Sequence, residues 1–195
     1  MRQEDVCKRC RRTGMKLFLK GERCFTPKCS FTRRPYAPGM HGQKRKGRPS
    51  EYLMQLQEKQ KAKAVYGLSE QVLKNYLAKA SRKDDRGEEL FKIFEKRLDN
   101  VLYRGGLAPS RRAARQMINH GGVLVNDKKV DIPSFQVRNE QTVKLAKNQE
   151  TKAVGERPAW LTVNAKTKTL TVSGEPTLTS GADFDIKAII EYYSR

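Results

Sequence analysis

The clearest alternation of apolar and polar positions lies in the middle of the chain. Ser50, after Pro49, reads as the N-cap of a helix through about Val65, rich in Gln, Lys, Glu and Ala, which Gly67 ends. Ser69 caps a second helix, with Val72, Leu73, Tyr76, Leu77 and Ala80 along one face. Residues 81–87 form a charged connection. From Glu88 onward, Leu90, Phe91, Phe94, Leu98, Val101 and Leu102 keep a helical period that runs until Gly105-Gly106 stops it. Ser110 then caps a helix over Arg111–Asn119, whose apolar face is Ala114, Met117 and Ile118, and Gly121-Gly122 supplies its C-terminal stop.

After that helix the period shortens to that of strands. Val123–Val125, a turn at residues 126–129 and residues 130–132 read as a hairpin. Further strands fit residues 135–137, Thr142–Leu145, residues 160–163 and Thr169–Val172. A last helix begins near Asp185, with Ile186, Ile189, Ile190 and Tyr193 apolar. The fold class expected is α+β: an N-terminal Cys-rich knuckle and an arm, a helical lobe, and a helix–loop–helix plus β-hairpin module. The boundaries are 1–31 for the knuckle, 32–49 for the arm and 50–95 for the helical lobe, which 185–195 completes. The helix–loop–helix and hairpin module spans 96–172, and 173–184 is a connector.

Charge changes this picture from a fold to a class of partner. The 195 residues carry a net charge of +20, which repels itself unless a polyanion offsets it. The excess is concentrated in residues 1–50, net +12, and 96–157, net +7, whereas 51–95 and 158–195 are almost balanced. The longest apolar runs are a few residues, far short of the ~20 that a membrane span needs, and the first residues show no secretory leader. Residues 32–49 combine prolines, glycines and cations, including Arg33, Arg34, Tyr36, Lys44, Arg45, Lys46 and Arg48. That composition reads as an extended arm that an anion orders.

Two constellations carry chemistry. Cys7, Cys10, Cys24 and Cys29 make two close pairs separated by a loop, a spacing that can put four thiolates around one zinc ion per chain. An iron–sulfur cluster is the lesser alternative, followed by free thiols or a disulfide; disulfides would need an oxidising compartment, and nothing points to secretion. Four cysteines leave no open position, so a catalytic zinc is not expected.

The second constellation is the helix after Ser110, where Arg111, Arg112 and Arg115 stand three and four residues apart and share one face near an N-terminus. Arg97 and Arg104 extend this patch, and Lys128 and Lys129 lie on the hairpin tip. With no aromatic platform expected beside the arginines, phosphate and shape recognition of folded RNA fits better than base stacking. His41 and His120 sit in no nucleophile or base arrangement, and no nucleotide-binding glycine loop occurs.

The run Arg97-Leu98-Asp99-Asn100-Val101-Leu102-Tyr103-Arg104-Gly105-Gly106-Leu107-Ala108-Pro109-Ser110-Arg111, followed by Asn119-His120-Gly121-Gly122-Val123-Leu124-Val125-Asn126, closely resembles the RNA-binding module of the ribosomal protein S-four family. Cys7-x-x-Cys10, Leu17-Phe18-Leu19-Lys20-Gly21, Arg33-Arg34-Pro35-Tyr36-Ala37-Pro38-Gly39, Pro49-Ser50-Glu51-Tyr52, Pro158-Ala159-Trp160-Leu161 and Tyr192-Tyr193-Ser194-Arg195 are similar to the bacterial form of that family. The resemblance implies a structural, non-enzymatic constituent of the small ribosomal subunit, cytoplasmic within the ribosome, that binds the 5′-domain helix junction of small-subunit rRNA. It implies that the protein nucleates assembly of the subunit body and contributes to translational accuracy. The partners it implies are rRNA, ribosomal protein S-five, and ribosomal protein S-three beside the channel through which mRNA enters, with no membrane and no homo-oligomer. It carries the zinc reading over to the four cysteines. Two other classes use the same module: RNA-modifying enzymes, for which no catalytic domain fits here, and free-standing RNA-binding regulators, which are usually little more than the module.

Overall fold

The computed structural model describes residues 3–44, 47–146, 157–164, 169–178 and 184–194. Among these, the helices in chain order are α1 (Gln3–Thr13), α2 (Ser30–Arg33), α3 (Glu51–Tyr66), α4 (Glu70–Ala80), α5 (Arg86–Glu95), α6 (Leu98–Arg104), α7 (Arg111–Asn119) and α8 (Ile186–Ser194). The strands are β1 (Val123–Val125), β2 (Lys128–Lys129), β3 (Thr142–Leu145), β4 (Leu161–Asn164) and β5 (Thr169–Val172), in one antiparallel sheet of order β2-β1-β3-β5-β4. The chain is therefore α+β. It divides into two compact units, residues 1–87 with 181–195 and residues 88–180. No described helix is long and apolar enough to cross a membrane.

In the first unit, sequence signals set the helix ends. The Ser50 hydroxyl accepts the Leu53 N–H at 3.3 Å, and the Ser69 hydroxyl accepts the Val72 N–H at 3.3 Å. Gly67 sits in the left-handed region at φ 56°, and the Leu68 N–H then reaches the Lys63 carbonyl at 2.9 Å, closing α3. Asp185 caps α8 by accepting the Lys187 N–H at 2.9 Å. α8 lies antiparallel on α3: Tyr52 meets Tyr192, Gln55 donates to Glu191 at 3.1 Å, and Glu58 accepts the Asp185 N–H at 3.0 Å.

Glu70 at the start of α4 ties these helices together. It pairs with Lys59 at 3.0 Å and Lys63 at 2.6 Å and accepts the Tyr193 hydroxyl. Burial raises the Glu70 carboxyl, but the bonds from Lys63, Tyr193 and Lys59 outweigh it and hold it at about 2.

The N-terminal segment departs from expectation. Residues 3–13 form α1, in which Val6 and Cys10, four apart, are the buried stripe of an otherwise charged helix. The arm is not extended over residues 34–44. Arg11 donates to the Tyr36 carbonyl at 3.0 Å and lies 5.0 Å from the Tyr36 ring centre. Ala37 is buried, and Gly42 folds back so closely that a Cβ there would stand 1.9 Å from the Ala37 carbonyl oxygen. Backbone turns and a neighbouring helix supply the partners that side-chain composition lacked.

In the second unit, the helix expected from residue 88 to Gly105 is two. Arg97 turns extended, φ −66° and ψ 135°, and bridges to Gln136. The first N–H groups of α6 are met by another segment: Leu98 donates to the Phe135 carbonyl at 2.9 Å and Asp99 to that of Pro133 at 3.2 Å. Continuous apolar periodicity is compatible with this break because Leu98, Val101 and Leu102 still face the core.

Residues 135–137 thus contribute a bridge rather than a strand. The second hairpin strand is Lys128–Lys129 instead of 130–132, and Ile132 is exposed. The turn has Asn126 at φ 46° and Asp127 at φ 63°, the paired left-handed geometry of a two-residue hairpin, which places the partner strand at once. Val123, Val125, Val143, Leu170 and Val172 line the inner face of the sheet and pack with Leu98, Val101, Leu102, Leu107, Ala108, Ala114, Ile118 and Trp160. Gly105 lies against Leu170, where a Cβ would come within 1.8 Å of its Cδ1.

Candidate nucleic-acid interface

α7 begins where the Ser110 hydroxyl accepts the Ala113 N–H at 3.2 Å. Ser110 itself is buried as a cap rather than presented outward. The apolar positions Ala114 and Ile118 anchor the helix in the core, which turns Arg111, Arg112 and Arg115 away from it.

Those arginines are not equivalent. Arg112 is exposed. Arg115 is partly buried and donates through Nε to Asp99 at 2.6 Å. Arg111 donates through Nε to Asn100 at 2.8 Å, and its guanidinium lies 4.5 Å from the centre of the Tyr103 ring. Tyr103 is therefore an aromatic partner at the very position where none was expected.

The preceding arginines are built in more deeply. Arg97 is 4% exposed and forks onto Asp99, with Nε at 3.1 Å and Nη2 at 2.9 Å. Arg104 pairs with the buried Glu95 at 3.3 Å. Asn100, fully buried, completes the lattice by donating to the Glu95 carbonyl at 2.9 Å. Arg97, Arg104, Arg111 and Arg115 thus gather around the buried carboxylates of Asp99 and Glu95 and the buried Asn100, and guanidinium groups suit phosphate. Spacing located the guanidiniums but missed Asp99, Asn100, Glu95 and Tyr103. The signal that could have found them is the i, i+2 charge pair Arg97/Asp99, next to a helix start.

Lys128 and Lys129 are exposed on the hairpin. Asp127 at its tip is paired with Lys144 at 3.1 Å, and Asn126 accepts the Thr142 N–H at 2.8 Å, so the turn is braced against β3. In the first unit, Arg33, Arg34, Lys44 and Arg48 are exposed and Tyr36 is half-buried against Arg11. Arg45 and Lys46 lie outside the described residues.

The cysteines fall on three short elements. Cys7 and Cys10 are one turn apart on α1, Cys24 closes a 3₁₀ turn (Gly21–Cys24), and Cys29 precedes α2. All four are free thiols, and Cys10, Cys24 and Cys29 are buried. Burial pushes the Cys10 and Cys24 thiols up, against N–H groups of Leu17 and Lys20 that lower them; neighbouring cysteines raise both further. Burial also raises Cys29, but N–H bonds from Thr32 and Phe31 outweigh it and bring that thiol down. Among the described residues no three His, Cys, Asp or Glu side chains stand in a metal-holding arrangement.

Comparison with known proteins agrees with the two-part build. Residues 2–95 match the family described as ribosomal protein S4/S9 N-terminal domain, and residues 96–143 match the S4 domain. The two matches meet at the break between α5 and α6. Small ribosomal subunit protein uS4 of Syntrophomonas wolfei is 44% identical over 204 residues, 98% of each chain. Protein uS4A of Clostridium acetobutylicum is 46% identical over 201 residues, 97% of each chain. Protein uS4 of Thermus thermophilus is 51% identical over 142 residues, 72% of this chain and 68% of its own. Matched over nearly its whole length by such relatives, the chain belongs to the uS4 family of small-ribosomal-subunit proteins, a family of ribosomal proteins and not of enzymes.

Proposed function

We propose that the chain is a primary rRNA-binding constituent of the small ribosomal subunit, working in the cytoplasm as part of the ribosome. In this reading it holds the 5′-domain helix junction of small-subunit rRNA, nucleates the subunit body and contributes to translational accuracy. The observation that carries it is the arginine lattice of α6 and α7, which sets four guanidiniums in place beside the exposed Arg112, itself able to reach a phosphate. The exposed Lys128 and Lys129, and the cations Arg33, Arg34, Lys44 and Arg48, enlarge the basic surface of their respective units. Ribosomal proteins S-five and S-three would be its protein neighbours, with the chain present as one copy and away from membranes.

The same reading gives residues 1–31 to a zinc knuckle, 32–49 to the arm, 50–95 with 185–195 to the helical lobe, 96–172 to the RNA module and 173–184 to a connector. The packing of α8 on α3 supports the lobe. The donor set fits zinc chemically. Four unpaired thiols interact with one another, and backbone N–H groups already point at three of them, as from Lys20 to Cys24 Sγ at 3.4 Å. A bound divalent ion would offset the burial and mutual repulsion that raise Cys10 and Cys24, and would staple a segment with little core of its own.

Filter binding to a small-subunit rRNA transcript across a salt series tests the main reading. Arg112→Ala should lower the slope of log affinity against log salt by roughly 0.7–0.9, the value per phosphate contact on DNA and single strands. It should leave stability unchanged, because Arg112 is exposed. Wild-type protein that neither binds the transcript nor comigrates with small subunits refutes the reading.

A further inference from the structure

Phe18 and Phe25 stack on each other in the cysteine-rich segment, ring centres 4.8 Å apart and planes inclined by 28°. Phe25 is 52% exposed, so one face of its ring is open to solvent. Phe18 holds its place at φ 49°, a left-handed backbone that bulky residues rarely adopt and that costs free energy. A strained backbone that brings one ring up behind another, with the outer ring open to solvent, does little to build a core.

The surroundings say what the outer ring could meet. Residues 16–28 carry Lys16, Lys20, Arg23 and Lys28 against the single carboxylate of Glu22. Arg23 and Lys28 are exposed, and Arg23 Nε leans on the Lys28 carbonyl at 3.5 Å. One ring face is far smaller than the ~800 Å² per partner of a stable protein interface. Cations close in sequence to a bare ring disfavour an apolar peptide partner, whose docking would strip their hydration, and attract a phosphodiester backbone, whose unstacked bases have flat faces of matching size.

From this we infer that Phe25, backed by Phe18, is a stacking platform for one unpaired base of the bound rRNA, with Lys16, Lys20, Arg23 and Lys28 drawing in the adjoining phosphates. The inference rests on the rRNA-binding reading above and adds a base contact to it, on the first unit rather than on the α7 lattice.

The test uses the full-length chain and the small-subunit rRNA transcript, with filter binding across salt and chemical probing of unpaired bases. Phe25→Ala should weaken binding about tenfold, since a base–aromatic stack contributes roughly 1–3 kcal/mol and 1.4 kcal/mol is one decade. The salt slope should not change, because no phosphate contact is lost, and one unpaired base should lose its protection. Phe25→Leu, which keeps apolar bulk without a ring, should be nearly as weak, and Phe25→Trp should bind as well as wild type or better. Equal binding by Phe25→Ala and wild type overturns the inference. So does Phe25→Leu behaving like wild type, which makes the ring mere packing. Unchanged RNA affinity with poorer incorporation into subunits assigns the ring to a protein neighbour and overturns it too. Failure of the rRNA reading looks different: the wild type itself then does not bind.

Discussion

Replacing Asp99 by Asn removes the charge that orders the arginine lattice while keeping the side chain's size. The Asp99 carboxylate is 2% exposed and accepts Arg97 at 3.1 and 2.9 Å and Arg115 at 2.6 Å. An Asn there offers one oxygen and turns an N–H₂ group toward guanidinium N–H donors, so at least one bond becomes a donor–donor contact. Breaking a buried ion pair by removing one partner costs about 3–5 kcal/mol, because the other charge stays buried. That figure applies to Arg97, which is 4% exposed and has no route to water. Arg115, 28% exposed, can turn outward, so its share falls toward the ~1 kcal/mol or less of exposed pairs. The expected loss for Asp99→Asn is therefore about 3 kcal/mol, a large part of the ~5–15 kcal/mol that holds a domain together. Arg115→Ala should cost ~1 kcal/mol. Urea unfolding of both variants, read as a shift in midpoint at constant m-value, measures the two. If Asp99→Asn costs no more than Arg115→Ala, the lattice is not a buried structural element.

Other perturbations test separate parts of the molecule. Gly105→Ala puts a methyl group 1.8 Å from Cδ1 of the fully buried Leu170, so calorimetry should show the ~1–3 kcal/mol loss of an overpacked core; an unchanged melting temperature would mean that the α6 end and β5 pack more loosely than described. The Glu70 carboxyl is held at about 2 against an unfolded value of ~4.3, so its stabilisation is complete above the unfolded value and is lost as pH falls toward 2. Melting curves of wild type and Glu70→Gln should accordingly differ at pH 6 and converge near pH 2; a constant gap contradicts the Lys59–Glu70–Tyr193 linkage. Removing metal with a chelator, or changing Cys24 to Ala, should speed hydrogen exchange in residues 6–31 and leave residues 98–145 protected, because no cysteine lies in the second unit. Purified protein without stoichiometric zinc or iron would falsify the knuckle.

Much of the architecture was legible because its signals are local. Ser50, Ser69 and Ser110 cap the helices that follow them, and Gly67 ends α3, since a cap needs only a side chain and backbone a few residues apart. The missed elements depend on remote partners. The break at Arg97 exists because residues 133–137 return to meet the start of α6, a pairing across more than thirty residues that helical periodicity cannot register. α1 was hidden by its composition: two apolar positions on a charged helix are too thin a stripe to read. The fold-back of residues 34–44 combines turns at Gly39 and Gly42 with a clamp by Arg11 from another element, which the composition of the segment does not reveal.

The arginines show where spacing stops being informative. The i, i+3 and i, i+4 relations correctly place Arg111, Arg112 and Arg115 away from the Ala114–Ile118 stripe, but a direction is not a partner. Helix α6 lies against α7 and brings Asp99 and Asn100 under two of the three guanidiniums, so those two are both fold and surface. That double role has a physical advantage. A free arginine loses side-chain entropy when it clamps a phosphate, whereas one already held through Nε by a buried acceptor has lost much of it during folding. Arg111→Lys and Arg115→Lys should therefore weaken rRNA binding more than Arg112→Lys does, although all three keep the charge: lysine can satisfy Asn100 or Asp99, or reach outward, but its single ammonium cannot do both in fixed geometry. Equal losses at the three positions, with folding intact, would show that the lattice contributes charge alone.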